Sequence, residues 1–245
     1  MRAEAIRALA AADSRLVWRD PLLAWVLLMP LGIALLLRIL VPMAAEALVA
    51  AAGFDLSSYY PLIMGGYLMT APGIVGMVIG FLLLDERDAR TLMALRVTPL
   101  PIRQYLAYRI ALPLVAGTLT TLTGYPLVGI TPLPLATLVP IVIVAGLWAP
   151  LLALILATAA PNKVAGFAVM KALNSVNLLP IAAFFLPVPI QFAAGVFPTY
   201  WPMRALWSAA AGEASAVFVG AGAVVGILAL AVAAAAFERR LARRG

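Results

Sequence analysis

The sequence contains no cysteine and no histidine. The absence of cysteine excludes disulfides and thiolate metal sites, and the absence of histidine removes both the usual proton carrier at neutral pH and the base of a Ser/His/Asp triad. No GxxxxGK[ST] motif occurs, so the chain has no P-loop that could bind ATP. We therefore predict no catalytic residue, no metal ligand and no cofactor in this chain, and we do not expect it to be an enzyme.

Charge is scarce and apolar surface is abundant. Of the 245 residues only 11% are charged and 65% are hydrophobic, and the mean hydropathy is +1.07. Apolar runs near 20 residues match a hydrocarbon core of about 30 Å, and backbone in lipid must satisfy its own hydrogen bonds, so the runs are helices. These features predict an all-α integral membrane protein with a single transmembrane domain over residues 1–245. The six predicted spans are 22–41, 60–84, 106–129, 135–159, 164–187 and 214–237.

Basic residues are distributed unevenly between the two ends of the predicted spans. Of the 17 Lys and Arg residues, only Arg38 and Arg204 fall on one side and Lys171 lies inside the fifth span, while the others lie on the opposite side. The positive-inside rule then places both termini in the cytoplasm, as expected for an even number of spans. The basic residues flank spans and form no single patch, so we expect a bilayer and no nucleic acid as the partner. The predicted location is a prokaryotic-type inner or plasma membrane.

Two segments outside the spans have their own composition. Residues 2–19 place apolar side chains and arginines on opposite sides at helical spacing, which predicts an interfacial amphipathic helix. Residues 188–213 are broken by prolines yet rich in aromatic residues, which predicts an external re-entrant pair of short helices at headgroup depth. The residues singled out in that pair are Pro198, Tyr200, Trp201 and Pro202.

Residues 85–105 form an island of charge between the second and third spans. Helical periodicity continues from the second span into 86–97, with Leu92 and Leu95 on one side and arginines on the other. A short exposed helix of this kind suits a groove on a cytosolic protein. An ordinary positive-inside loop would carry similar charge, so the residues alone leave both interpretations open.

The same island carries a recognisable motif. In its pattern the chain resembles the permease subunits of ABC transporters of the type-2 exporter class, and it is similar to multidrug or fluoroquinolone-type efflux permeases. Arg90 stands where that family usually has glycine, and two further stretches match, at 162–174 and 198–202. The matching residues of the island are Glu86, Thr91, Leu92, Leu95, Thr98, Pro99, Leu100, Tyr105 and Leu106.

The resemblance implies partners that this chain does not contain. It implies a cytosolic ABC ATPase, which binds the ATP and Mg, and a second permease copy or a paralogue. It also implies that 86–97 is a cytoplasmic coupling helix against the ATPase. The coupling residues so implied are Glu86, Arg87, Arg90, Thr91, Leu92, Leu95, Thr98 and Pro99.

Polar side chains inside spans are candidates for a substrate path or a dimer interface: Thr118 and Thr121 in the third span, and Asn174 and Asn177 in the fifth. The two asparagines are three residues apart and share a helix face. A buried amide needs a partner, so these two should meet a cavity or another helix. The alternatives are threonines bonded to their own backbone and asparagines bonded within one protomer.

These features favour the membrane subunit of an ATP-driven exporter of a hydrophobic or amphiphilic drug or lipid. An ion-coupled secondary carrier is the first alternative. All ten acidic residues lie outside the spans or at their edges, whereas a proton-driven carrier normally has an ionisable group inside the membrane. A non-transporting membrane assembly subunit is the second alternative.

Overall fold

The fold is taken from a computed structural model that describes residue 15 and residues 21–88 and 102–243. The backbone alone is described for 21–24, 87–88, 102–103 and 241–243. The predicted interfacial helix 2–19 and the coupling residues Arg90, Thr91, Leu92, Leu95, Thr98 and Pro99 lie outside the part of the chain that is described.

Within those ranges the protein is built from α-helices and short 3-10 turns, with six helical stretches long and apolar enough to cross a membrane. The predicted all-α membrane fold is confirmed. The helices are α1 Pro21–Ala52, α2 Tyr60–Asp88, α3 Ile102–Val128, α4 Leu135–Gly146, α5 Trp148–Ala159, α6 Lys163–Val176, α7 Leu178–Ala182, α8 Val188–Gln191, α9 Tyr200–Ala210 and α10 Ala216–Arg243. The six spans are Trp25–Ala52, Leu56–Glu86, Gln104–Val128, Leu135–Ala159, Lys163–Phe185 and Ala216–Arg240.

The first span is longer than predicted. Its helix was expected to end near residue 41, but it continues to Ala52. Residues 43–52 are rich in alanine and leucine, which favour helix, and they contain no breaker. The helix ends before Gly53, which adopts a φ of 63°, a left-handed conformation that glycine accepts without steric cost.

The fourth and fifth spans are each interrupted. The fourth consists of α4 and α5, which meet at Leu147. The fifth consists of α6, α7 and a 3-10 turn at Ala183–Phe185, with the break at Asn177. Pro180 has no N–H to donate to the carbonyl of residue 176, so the fifth helix loses a backbone bond just where it breaks.

The second and fourth spans form the centre of the protein. In the 18-residue apolar stretch that defines each of them, 72% of the residues lie buried, against 17% in the first, fifth and sixth spans. Small residues allow the central pair to approach closely, because a Cβ on Gly76 would lie 2.5 Å from the Ala149 carbonyl oxygen. The outer spans surround this pair and expose apolar side chains on faces suited to lipid or to another protein.

The segment between the fifth and sixth spans is helical and well packed. It contains α8, a 3-10 turn at Phe192–Val196, and α9. The α9 helix packs against the second, fourth and sixth spans and buries Tyr200, Met203 and Leu206. A helix pair is present within 188–213, and its insertion into the outer leaflet stays a prediction.

Candidate functional site: a cavity between the second and fifth spans

An open cavity of about 290 Å³ lies between the second and fifth spans and is bordered by Trp148 of the fourth span and Met203 of α9. Its volume is near the lower end of the range for sites of drug-sized ligands, roughly 300–1,000 Å³. The lining residues are Gly66, Met69, Thr70, Gly73, Ile74, Met77, Trp148, Met170, Asn174, Asn177, Ile181 and Met203.

The lining combines soft apolar surface with a few polar groups. Four methionines surround the space, and flexible thioether side chains adapt to ligands of different shape. Trp148 adds a flat aromatic surface suited to stacking. The polar groups are two asparagine amides and Thr70, whose hydroxyl already donates to the Gly66 carbonyl at 3.0 Å. None of the lining side chains is charged, so the cavity suits an amphiphilic molecule.

The structure brings Asn174 and Asn177 together at this cavity, as the predicted path requires. Asn177 lies at the break between α6 and α7, where its Oδ1 accepts a hydrogen bond from the Thr199 hydroxyl at 2.9 Å. Thr199 is only 1% exposed, so this bond ties the fifth span to the start of α9. Asn174 is exposed in the single chain. The role of both residues in a substrate path or dimer interface stays a prediction.

Thr118 and Thr121 lie elsewhere. The Thr121 hydroxyl is buried and donates to the Gly117 carbonyl at 2.7 Å, the backbone bonding left open as an alternative above. Thr118 packs against Gly146 of the fourth span. A Cβ added to Gly146 would overlap the Thr118 hydroxyl oxygen. Neither threonine is among the described residues that line this cavity, so the structure does not bring the two pairs together.

A charged cluster joins the ends of the second and third spans. The Glu86 carboxylate accepts hydrogen bonds from the Arg109 guanidinium and the Tyr105 hydroxyl. Arg109 is 1% exposed, and its guanidinium carbon lies 5.3 Å and 5.5 Å from the ring centres of Tyr105 and Tyr108. A contact between Glu86 and an ATPase stays a prediction, since its carboxylate lies against these partners within the chain.

Sequence reasoning missed this cluster because Arg109 was counted with the flanking basic residues. A signal for it exists in the sequence. Glu86 and Arg109 have opposite charge, and each lies within about one helical turn of the end of its predicted span, 60–84 or 106–129, on the same side. Side chains at the neighbouring ends of two antiparallel helices can face each other, so the pair could have been proposed.

The residues singled out in the segment 188–213 have structural contacts. Tyr200 and Pro202 are buried at the start of α9. The Trp201 indole donates to the Gly195 carbonyl at 2.8 Å and so closes the turn that precedes α9. Pro198 lies in that turn. These contacts fix α9 beside the cavity.

Six apolar spans, with a neutral, methionine-rich cavity between the second and fifth of them, define a multi-pass membrane protein of the transport class. Residues 13–234 match the family described as "Fluoroquinolones export permease protein Rv2686c-like", and the chain belongs to this family. The predicted membership of an efflux permease family is confirmed.

Two relatives come from Mycobacterium tuberculosis. They are fluoroquinolones export permease protein Rv2686c of strain ATCC 25618 / H37Rv and fluoroquinolones export permease protein MT2760 of strain CDC 1551 / Oshkosh. Each is 38% identical to this chain over 209 residues, which cover 83% of this chain and 83% of the relative. No solved structure matches the chain.

Proposed function

We propose that this chain is the membrane subunit of an ATP-driven exporter that moves an amphiphilic drug of the fluoroquinolone type out of the cell. The observation that carries the proposal is the family match over residues 13–234 to a permease family named for fluoroquinolone export. The chain has no P-loop, so ATP and Mg are bound by a separate cytosolic ABC ATPase. The loop motif that begins at Glu86 supports this partner.

The cavity is the proposed substrate site. Its methionines and Trp148 supply adaptable apolar contact, and the asparagine amides supply hydrogen bonds that orient a polar group of the drug. The absence of charge in the described lining suits a compound that is largely aromatic. The cavity lies beside the central second span, so a movement of that span transmitted from the coupling loop would change its shape.

We propose that a second permease copy packs against the exposed face of the fifth span. Only 17% of the residues in its 18-residue apolar stretch are buried, and the span exposes Lys171 and Asn174 in its middle. Hydrocarbon would leave these polar groups unsatisfied, whereas a second copy or water in a shared chamber would satisfy them. In a two-fold dimer the two cavities would then lie on either side of the axis.

The direct test uses inverted membrane vesicles that contain this chain and its ATPase. We expect ATP to drive uptake of a fluoroquinolone, and we expect a protonophore to leave that uptake unchanged. Uptake that follows the proton gradient and ignores ATP would contradict the proposal and favour a secondary carrier. Failure of the chain to co-purify with any ATPase, together with no uptake, would favour an assembly subunit.

The proposed orientation has both termini in the cytoplasm. It is supported by the basic asymmetry and by the Lys163–Asp85 ion pair of 2.7 Å, which places the end of the second span level with the start of the fifth. Because the chain has no cysteine, single thiols can report topology. We expect an impermeant maleimide to label Ser215→Cys from outside whole cells and Asp88→Cys only after the membrane is opened. The reverse pattern would refute the orientation.

Leucine substitutions at the two cavity asparagines are expected to differ in their effects on drug binding and on stability. Asn174→Leu should weaken drug binding about fivefold to tenfold, the value of one lost hydrogen bond, without lowering stability. Asn177→Leu should also destabilise the protein by about 1–3 kcal/mol, because it leaves the buried Thr199 hydroxyl without its partner. Drug export kinetics and thermal unfolding in detergent would measure the two effects.

A matched double variant separates the structural role of Asn177 from its role in transport. Thr199→Val combined with Asn177→Leu removes both partners of this hydrogen bond. Replacing both by apolar side chains of similar shape should change the free energy of unfolding very little. We expect this pair to recover stability but not export. Normal export of every tested compound by Asn174→Leu would show that its amide does not contact substrate.

A further inference from the structure

The fifth span carries a lysine whose ammonium has no partner within the described part of the chain. Lys171 lies about 12 Å of helix rise beyond Lys163, the residue at which this span begins. Lys163 pairs with Asp85 at 2.7 Å, and both side chains are about half exposed. Lys171 is exposed on the same helix, and no ion pair joins it to another described residue. An unpaired charge inside a membrane span is rare and indicates a functional role.

Lys171 lies at one end of the cavity, on the side where the cavity is open. The second and fifth spans run antiparallel, since the ion pair above joins the end of one to the start of the other. Met77 and Met170 line the end of the cavity nearer this ion pair. Lys171 follows Met170 and shares a helix face with Asn174, three residues further on. Asn174 is exposed and also lines the cavity, so the opening lies beside the Lys171 side chain.

A second cation lies near the other end of the cavity. Arg204 follows Met203, which lines the cavity and packs on Gly65 of the second span. The Arg204 guanidinium carbon lies 4.9 Å from the ring centre of Phe218, and no described carboxylate forms an ion pair with this arginine. The described lining contributes no carboxylate that would offset either cation. The electrostatic potential in the cavity is therefore positive.

A cation at the rim of this cavity acts over a long distance because its surroundings are apolar. Two unit charges about 10 Å apart, at an effective dielectric constant of about 20, change a binding constant about tenfold. The same charge in contact with bulk water and salt would be screened. Fixed charges that act as electrostatic barriers let membrane pores reject ions of one sign. A second copy in the proposed dimer would add another lysine to the same chamber and strengthen the barrier.

We propose that Lys171 excludes compounds of net positive charge from the cavity, so that organic cations are not among its cargo. We call this role the charge filter. Lys171 thereby determines specificity from beside the cavity and needs no contact with the bound compound. The inference rests on the proposed function and adds the charge class that the same site refuses. Binding to the purified chain tests it without ATP or transport.

The test uses two probes of the same shape and opposite charge, tetraphenylphosphonium and tetraphenylborate. Each is titrated against purified Thr70→Cys protein in detergent, because residue 70 lines the cavity. The readout is the probe concentration that halves the rate of thiol alkylation. Adding Lys171→Met should lower this concentration about tenfold for the phosphonium and raise it about tenfold for the borate. Each probe is compared only with itself, so its uptake by detergent micelles cancels.

Two control variants make these opposite shifts specific. Lys171→Arg keeps the charge and should behave like the parent protein. Lys163→Met removes the same charge from the water-exposed pair with Asp85, where salt screens it, and should shift either probe by at most about twofold. Lys171→Met should not lower the melting temperature, since it removes an unpaired charge from a membrane span.

Four results would overturn the charge filter. They are equal shifts of the two probes in Lys171→Met, no shift of either probe, the same shifts in Lys163→Met, and no protection of residue 70 by either probe. Loss of ATP-driven uptake of a fluoroquinolone in vesicles would instead overturn the proposed function and leave the opposite shifts in place.

Discussion

Replacing Arg109 by methionine is expected to lower the free energy of unfolding by about 3–5 kcal/mol, the cost of removing one partner from a buried ion pair. Arg109 is 1% exposed, and its partner Glu86 is 24% exposed at the side chain. The variant keeps most of the packed volume but leaves the carboxylate without its cation. The measurement is denaturant unfolding of the purified protein in detergent.

Two companion variants make this result specific. Glu86→Leu combined with Arg109→Met removes both charges and should recover most of the lost stability, because neutral side chains carry no desolvation cost. Lys163→Ala breaks the exposed pair with Asp85, whose side chains are 54% and 47% exposed, and should cost only about 0–1 kcal/mol. If Arg109→Met costs no more than Lys163→Ala, the Glu86–Arg109 contact does not stabilise the fold.

Gly66→Phe is expected to reduce fluoroquinolone export to about a tenth or less of its normal rate, because a phenyl group in a site of this size excludes the ligand. Gly66 lines the cavity, and no atom lies within 4 Å of the position its Cβ would take. The new side chain can therefore enter the cavity without displacing a neighbour. Glycine is also a poor helix former, so the substitution should not weaken the second span.

Gly32→Phe is the matched control. Gly32 also lies within a membrane helix and has open space around its Cβ position, but it is on the exposed side of the first span and is not among the residues that line the cavity. Export by this variant should stay near normal in the same vesicle assay. Full export by Gly66→Phe at normal expression would show that the drug does not pass through this cavity.

The helical spans could be predicted because lipid imposes one requirement on each of them. In lipid the backbone N–H and C=O groups must form hydrogen bonds with each other, so an apolar run that crosses the bilayer must be a helix. Hydropathy alone therefore locates the helices. The end of the first span could not be found this way, since the alanine-rich residues that follow it suit helix in lipid or in water. The break at Asn177 also eluded prediction, because Pro180 marks a possible bend but does not say whether the helix continues through it.

The sequence predicted the site only at residues that are energetically costly to bury in a membrane without a hydrogen-bonding partner. Asn174 and Asn177 were singled out because an amide in a membrane helix needs a partner, and the structure places both at one cavity. Threonine gives a weaker signal, since Thr121 satisfies its hydroxyl on its own helix. The Glu86–Arg109 pair joins two spans, so it is found only when the neighbouring ends of those spans are considered together. Tyrosine and tryptophan in a proline-broken stretch indicate a membrane interface equally well, so composition could not reveal that α9 packs against the second, fourth and sixth spans.

The measurement that tests the account most directly is protection of a single thiol in the cavity by the drug. Thr70→Cys is nearly isosteric, lines the cavity, and gives the chain its only cysteine. A saturating fluoroquinolone should slow alkylation of this thiol about tenfold, as expected for a site occupied roughly nine-tenths of the time. Alkylation of Ser58→Cys, on the exposed 3-10 turn Leu56–Tyr59 that precedes α2, should not change. Equal alkylation rates at residue 70 with and without the drug would contradict the claim that this cavity holds the exported compound.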